Sequence, residues 1–198
     1  MLDVSVSSPL HRQLQGCSLY LIGMMASGKS STGRLLARRL GYRFADTDTV
    51  IEQVTGESIP RLFEQIGEPG FRALETQVLR AISQHHSLVV ATGGGVVVQP
   101  ENWGILRQGI IVWLNIDRDQ LLMRLDADNT RRPLLQTANP ATALDTILEA
   151  RLSLYSEADL QITIGAENLN EVADQILKCL SKQLRSLRDL TLLQTTAR

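Results

Sequence analysis

The sequence of 198 residues has few lysines, cysteines and aromatic residues, almost no net charge and no long apolar run. Its two cysteines, Cys17 and Cys179, provide no disulfide framework, so we expect a reducing compartment. The formal net charge of −1 gives no general attraction to nucleic acid or to anionic membranes. No apolar run reaches the roughly 18–20 residues that a membrane span requires. We therefore expect a cytoplasmic protein with neither nucleic acid nor membrane as a partner.

The basic residues are mostly arginines, because only three of the twenty are lysines, at positions 29, 178 and 182. Arginine binds carboxylates and phosphates through a planar set of donors, whereas lysine acts as a compact point charge. Individual arginines are therefore informative wherever they occupy a helix face that should be apolar.

Short apolar segments alternate with longer amphipathic ones. The candidate strands are 18–23, 42–46, 87–92, 110–116 and 160–165. Helical patterns lie near 29–40, 49–55, 58–66, 69–84, 101–107, 118–126, 140–157 and 168–185. This alternation predicts an α/β fold with a mainly parallel sheet, whose ligands bind at the carboxyl ends of the strands. We expect one domain over 18–180, a short disordered leader over 1–17, and a helical extension or tail over 181–198.

A complete phosphate-binding loop follows the first candidate strand. The segment is Gly23-Met24-Met25-Ala26-Ser27-Gly28-Lys29-Ser30, which matches the pattern G-x-x-x-x-G-K-[S/T]. Its amides point at a phosphate, Lys29 spans the β- and γ-phosphates, and the Ser30 hydroxyl binds Mg²⁺. The alternative is a chance match in an ordinary turn, but the preceding strand and the following helix favour a nucleotide triphosphate site.

Two carboxylates close the second candidate strand. Asp46 and Asp48 are two residues apart, so on an extended chain both side chains point to the same side. One is suited to hold Mg²⁺ through water, and the other to orient a substrate hydroxyl or act as a base. The alternative is helix capping by Thr47 or Asp48, which explains one residue but not the pair.

Charged residues interrupt two apolar helix faces. Arg72 and Glu75 lie at the border and inside of a stripe over 71–84, and their spacing allows them to pair. Arg151 lies near the middle of the apolar face over 144–155, where an unpaired guanidinium is unfavourable. A ligand carboxylate or phosphate is one partner for these arginines. The alternatives are a structural ion pair for Arg72 and an arginine whose charged end reaches solvent for Arg151.

A glycine run and a polar excursion follow the third and fourth candidate strands. Gly93, Gly94 and Gly95 permit close approach of the backbone to a ligand, although a flexible turn is the alternative. The segment 126–137 contains Arg131 and Arg132. Such a segment near a phosphate site is suited to be a lid, and a solvated surface loop is the alternative.

Together these segments resemble the shikimate kinase family over residues 18–180. The matching motifs occur in the family's order and are GMMASGKS, FADTD, FRALE (71–75), TGGG, RRPLL (131–135) and RLSLY (151–155). The resemblance implies a three-layer P-loop kinase fold, with a five-stranded parallel sheet like that of nucleoside monophosphate kinases and a mobile lid over about 117–137. It also implies ATP-dependent phosphorylation of the 3-hydroxyl of shikimate by a monomer that uses one Mg²⁺.

The resemblance also assigns roles to residues. It implies that Lys29, Asp48 and Arg132 are catalytic, and that Ser30 and Asp46 serve the metal. ATP would be bound by the loop from Gly23 to Ser31, with Arg124 and Arg132. The residues implied to bind shikimate are Asp48, Arg72, Glu75, Gly93, Gly94, Gly95 and Arg151.

The sequence departs from the family pattern at three positions. Ala26 stands where a third glycine is usual in the loop, Ser31 where threonine is common, and Ser153 where proline is usual. None of these changes removes a chemical group with a role. Alternatives to shikimate phosphorylation are a related small-molecule P-loop kinase, such as a gluconate kinase, or a catalytically silent binding protein of the same fold.

Overall fold

Five parallel strands form one sheet in the computed structural model, which describes residues 9–128, 132–135, 137–165 and 167–196. The strands are β1 (Leu19–Ile22), β2 (Arg43–Asp46), β3 (Leu88–Ala91), β4 (Ile110–Ile116) and β5 (Leu160–Ile164). Their order across the sheet is β2-β3-β1-β4-β5, and all four pairings are parallel. The predicted α/β fold with a five-stranded parallel sheet is confirmed.

Helices and two short 3₁₀ turns connect the strands. The helices are α1 (Pro9–Leu14), α2 (Lys29–Leu40), α3 (Thr47–Thr55), α4 (Ile59–Ser83), α5 (Pro100–Leu106), α6 (Arg118–Ala127), α7 (Pro140–Tyr155) and α8 (Leu169–Thr196). The 3₁₀ turns are Val96–Val98 and Pro133–Leu135. Within the described part of the chain, no helix is long and apolar enough to cross a membrane.

Two of the central strands, β1 and β3, are buried along their whole length. Every residue of β1 and β3 is buried, and Leu19 pairs with Val89 on one side and with Ile110 on the other. Strands that helices cover on both faces are apolar without alternation, as the sequence indicated. The parallel register brings the carboxyl ends of β1, β2 and β3 to one edge of the sheet, where the predicted motifs begin.

Helix α4 consists of two helical segments joined at a kink. The sequence predicted separate helices over 58–66 and 69–84, and the backbone of Gly67 is indeed non-helical, with φ 66° and ψ 177°. Only glycine adopts this conformation without strain. Pro69 then occupies the first turn of the second segment, where its missing N–H is not needed.

The expectation of a disordered leader over 1–17 is wrong for the residues that the structure describes. Pro9–Leu14 is helical, and Leu14 is only 3% exposed. Nδ1 of His11 lies 2.7 Å from the carbonyl oxygen of Leu40, and its ring contacts Tyr42 edge to face. These contacts fix α1 at the end of α2; residues 1–8 lie outside the described residues.

The extension after residue 180 is helical, because α8 continues to Thr196. Leu180 is fully buried, and Leu184 packs against the same core. The lid expected over 117–137 is described in part: α6 and the turn Pro133–Leu135 belong to it, whereas 129–131 and 136 lie outside the described residues.

Candidate active site

The phosphate-binding loop joins β1 to α2 and contains three residues with positive φ. Gly23 has φ 137°, and a Cβ added there would lie 2.6 Å from the carbonyl oxygen of Leu114. Gly28 precedes α2 with φ 90°. Ala26 has φ 61°, a left-handed conformation that is strained for a residue with a side chain. The departure from glycine at this position therefore falls on a conformation that favours glycine.

Lys29 is the first residue of α2, and its ammonium group lies against the loop. Nζ donates to the carbonyl oxygens of Gly23 at 2.9 Å and Met24 at 2.7 Å. Burial lowers the pKa of Lys29 to about 8, although Asp48 and Asp46 oppose this effect. A cation held at the floor of a phosphate loop is suited to stabilise phosphate oxygens.

Asp46 uses its two carboxylate oxygens for different purposes. Oδ1 accepts hydrogen bonds from the backbone amides of Asp48 at 3.1 Å and Thr49 at 3.3 Å, so Asp46 is the N-cap of α3. Oδ2 accepts from Oγ of Ser30 at 2.5 Å. The predicted alternative, capping by Thr47 or Asp48, is wrong because the helix begins one residue after Asp46. Asp48 is thus on a helix and not on an extended strand.

The pair formed by Ser30 and Asp46 fits a magnesium ion. A hydroxyl and a carboxylate oxygen converge there, and Mg²⁺ prefers such oxygen ligands together with substrate phosphates and water. No group of three or more histidine, cysteine, aspartate or glutamate residues suited to a metal occurs in the described ranges.

Asp48 lies in the first turn of α3 and faces the cavities at the edge of the sheet. Burial raises the pKa of Asp48 to about 6; the surrounding carboxylates add to the rise and Lys29 opposes it. A carboxylate with a pKa near neutrality is suited to accept a proton from a hydroxyl.

Arg72 is held between two carboxylates of α4. Nη1 donates to Oε2 of Glu75 at 2.9 Å, while Nε and Nη2 donate to Oε1 of Glu68 at 3.2 and 2.9 Å. Glu75 is fully buried, and this burial raises its pKa despite the opposing charge of Arg72. Oε1 of Glu75 has no hydrogen-bond partner among the described residues and is enclosed beside Gly93.

The three glycines after β3 lie close to other groups of the site. The sequence suggested that they let the backbone approach a ligand, and this stays a prediction; all three line the second cavity. A Cβ on Gly93 would overlap Oε1 of Glu75, and a Cβ on Gly95 would overlap the guanidinium of Arg72. A Cβ on Gly94 would lie 3.2 Å from the backbone nitrogen of Met25. The glycines therefore permit the close packing of the charged groups.

Arg151 and Tyr155 of α7 meet at the same carbonyl. Nη1 of Arg151 and the hydroxyl of Tyr155 both donate to the oxygen of Gly94, at 3.0 and 2.6 Å. Arg151 is buried beside the cavity, as the sequence predicted from its place on an apolar face. Tyr155 was expected only as a core residue; its hydroxyl is a polar contact that periodicity does not reveal.

Arg124 and Arg132 approach the loop from the lid side. Nη1 of Arg124 donates to the carbonyl oxygen of Ala26 at 3.3 Å, and Nη2 of Arg132 donates to Asp128 at 2.5 Å. Arg124 lines the main loop cavity and a smaller one of about 270 Å³, which is also bordered by Ile164 and Glu167.

Two cavities meet at this edge of the sheet. The first, of about 440 Å³, is lined by the phosphate loop together with Asp46, Thr92, Arg124 and Asp128. The second, of about 450 Å³, has a charged wall of Arg72, Glu75 and Arg151 and an apolar wall. Four residues line both cavities: Met25, Asp48, Gly94 and Arg132.

Most of the predicted residues line one or both of these cavities. Those at the first are Met25, Ala26, Gly28, Lys29, Ser30, Ser31, Asp46, Asp48, Gly94, Arg124 and Arg132. Gly93 and Gly95 line the second, whereas Gly23, Met24 and Ser27 line neither. Gly23 and Met24 act through the carbonyls that hold Lys29. Residues that the sequence did not indicate for this site are Thr47, Glu52, Ile59, Pro60, Phe63, Glu68, Pro133 and Leu134.

A phosphate-binding loop whose cavity opens onto a second, cation-lined cavity, on a sheet of this order, defines a small-molecule P-loop kinase. The family model for shikimate kinase matches residues 25–181. The shikimate kinase of Synechococcus sp. (strain CC9605) is 61% identical over 89% of this chain and 88% of its own length. That of Prochlorococcus marinus (strain MIT 9313) is 57% identical over 89% of this chain and 92% of its own length. The chain belongs to the shikimate kinase family.

Solved structures agree with this assignment. The shikimate kinase from Acinetobacter baumannii in complex with shikimate is 38% identical, with a TM-score of 0.83 over 88% of this chain and 98% of that chain. A gluconokinase from Sinorhizobium meliloti 1021 is 18% identical, with a TM-score of 0.57 over 88% of this chain and 97% of that chain. The second likeness is one of fold alone.

Proposed function

We propose that the first cavity binds ATP, that the second binds shikimate, and that the γ-phosphoryl group passes between them to the 3-hydroxyl. The observation that carries this proposal is the set of residues common to both cavities, which includes Asp48 and Arg132. A base and a cation at the boundary of two ligand sites stand where the acceptor oxygen and the transferring group must meet.

The second cavity matches a cyclic polyhydroxy acid. Arg72 and Arg151 provide guanidinium groups for a carboxylate, while the carboxylates of Asp48 and Glu75, which also line the cavity, accept hydrogen bonds from hydroxyls. The apolar part of the lining suits a carbocyclic ring; its members are Ile59, Pro60, Phe63, Phe71 and Leu134.

The proposed transfer is in line and is driven by positioning and charge. As the acceptor oxygen bonds to the γ-phosphorus and the bond to the leaving ADP oxygen breaks, the hydroxyl proton passes to the carboxylate of Asp48. Lys29 and Arg132 stabilise the charge on the phosphate oxygens. Ser30 and Asp46 would hold Mg²⁺, which supplies positive charge to the phosphates when bound. Arg124 lines the smaller cavity beside the phosphate loop, and we expect it to lie near the adenine of ATP.

The test is a coupled assay of ADP formation with ATP and one of three acceptors: shikimate, gluconate or a nucleoside monophosphate. Shikimate is expected to be the acceptor with measurable turnover, because two arginines and two carboxylates match its groups. Turnover with gluconate in place of shikimate would favour the gluconate kinase alternative. A folded protein that binds shikimate but forms no ADP would favour the silent binding protein.

The substitution Arg151→Ala tests the carboxylate-binding role separately. The expected result is a rise of about tenfold or more in the KM for shikimate with little change in the KM for ATP, since a charged hydrogen bond is lost at one cavity. An equal loss of affinity for both substrates would contradict the role. We also propose that the protein is monomeric and cytoplasmic. Analytical ultracentrifugation of the purified chain tests whether it is a monomer.

A further inference from the structure

Two carboxylates bind Arg72, those of Glu68 and Glu75, and the proposed reaction gives no role to Glu68. It follows the kink residue Gly67 and precedes Pro69, at the start of the second segment of α4. Glu68 and Arg72 are four residues apart on this segment, so their side chains lie on the same face of the helix, one turn apart. The six residues from Gly67 to Arg72, G-E-P-G-F-R, thus contain the helix kink, the carboxylate of Glu68 and the first turn of the second helical segment.

Glu68 and Glu75 hold Arg72 from different directions. The side chain of Glu75 is fully buried and lines the second cavity, whereas that of Glu68 is 46% exposed and does not line it. Glu75 takes one N–H of Nη1, and a single oxygen of Glu68 takes the N–H of Nε and one of Nη2. The backbone at Gly95 packs against the guanidinium as well.

The guanidinium of Arg72 has N–H groups that the two glutamates do not use. A guanidinium has five N–H groups, and three are used by the two glutamates. The two without a partner among the described residues are one on each terminal nitrogen, Nη1 and Nη2. The carboxylate of a substrate in the second cavity needs a pair of donors of this kind.

We propose that Glu68 is a positioning residue for the substrate carboxylate: it holds the Nε side of Arg72, so that one N–H of each terminal nitrogen is left for the ligand. This inference rests on the proposed role of Arg72. Arginine has four side-chain torsions, so the guanidinium of Arg72, which lines the cavity, samples more orientations without Glu68 than the one held here. Repulsion between Glu68 and the substrate acts in the opposite direction, but its exposure to solvent screens this effect.

The experiment compares three variants under steady-state conditions. Glu68→Ala is expected to raise the KM for shikimate about tenfold, the size of one charge-assisted hydrogen bond, with the KM for ATP and kcat within about twofold of the parent. Glu68→Gln keeps an oxygen that accepts from Nε and Nη2, so it is expected to restore most of the affinity. The matched control is Glu57→Ala, which removes an i,i+4 partner of the same type from the exposed Arg61 on α4; its KM for shikimate is expected to stay unchanged.

The methyl ester of shikimate, which lacks the charged carboxylate, separates positioning from a general structural role. Its inhibition constant is expected to differ by less than about twofold between the parent and Glu68→Ala. An equal change for ester and acid would overturn the proposal, as would an unchanged or lower KM for shikimate. Arg72→Lys separates a failure of the proposed role of Arg72 from a failure of the inference about Glu68. If Arg72→Lys leaves the KM for shikimate unchanged, both are refuted. If it raises that KM while Glu68→Ala does not, only the inference about Glu68 is refuted.

Discussion

The contact between Gly95 and the guanidinium of Arg72 allows a test by a single methyl group. Gly95 has φ −99° and ψ 1°, a backbone conformation that alanine adopts, so Gly95→Ala introduces no strain of its own. The added Cβ, however, overlaps three atoms of the guanidinium. The substitution therefore acts on the position of one charged group.

The size of the effect follows from the required movement. Ordinary contact begins at 3.4 Å, so the guanidinium of Arg72 must withdraw by about 1 Å. Such a shift lengthens its hydrogen bonds to Glu68 and Glu75, both of which are 2.9 Å at their shortest. Misplacement of a binding group by about 1 Å reduces turnover efficiency by up to about a hundredfold. We expect kcat/KM for shikimate to fall ten- to a hundredfold, chiefly through KM.

The assay measures the KM for shikimate, the KM for ATP and the melting temperature of the variant. The KM for ATP is expected to change little, since the phosphate loop is not touched, whereas the melting temperature is expected to fall because the buried ion pair of Arg72 and Glu75 is stretched. Gly104→Ala is the matched control, because a Cβ at Gly104 on α5 meets no atom within 4 Å. A parent-like KM for shikimate in Gly95→Ala would refute the view that Arg72 must be placed to within an ångström.

Two further predictions concern stability. Ala26→Gly removes the strain of a left-handed alanine with φ 61°, whereas the added glycine raises the conformational entropy of the unfolded chain. The net effect should be a stabilisation of about 0.5 kcal/mol, and a lower urea midpoint would contradict this. Leu14→Ala removes the buried anchor of α1 and should lower the free energy of unfolding by about 2 kcal/mol, with turnover of shikimate unchanged at a temperature where the variant is folded. An unfolding free energy equal to that of the parent would show that α1 contributes no packing energy.

Much of the fold follows from the sequence, because buried strands and phosphate loops have local signatures. The five strands were predicted to within two residues of their ends. Helix α1 was missed, since six residues are too few to show a helical period. The kink at Gly67 was visible as a gap between two helical patterns.

The site was less fully predictable, because several contacts form only between distant segments. The position of Arg151 on an apolar face revealed a buried charge, but its contact with Gly94 and the neighbouring hydroxyl of Tyr155 required the fold. Glu68 carries no local signal either, as a glutamate one helical turn before an arginine is common on solvated helices. The packing of Gly93 against Glu75 and of Gly95 against Arg72 was not predicted, because the sequence shows a missing side chain and not what fills the space.

The four residues common to both cavities have a thermodynamic consequence. Met25, Asp48, Gly94 and Arg132 line both cavities, which are the proposed sites of ATP and shikimate, so we expect a movement that one ligand imposes on them to affect the other. Linkage requires this coupling to be reciprocal: any factor by which ATP alters the dissociation constant of shikimate must equal the factor by which shikimate alters that of ATP. Under the proposed assignment of the cavities, the affinities for ATP and shikimate are therefore coupled through these four residues.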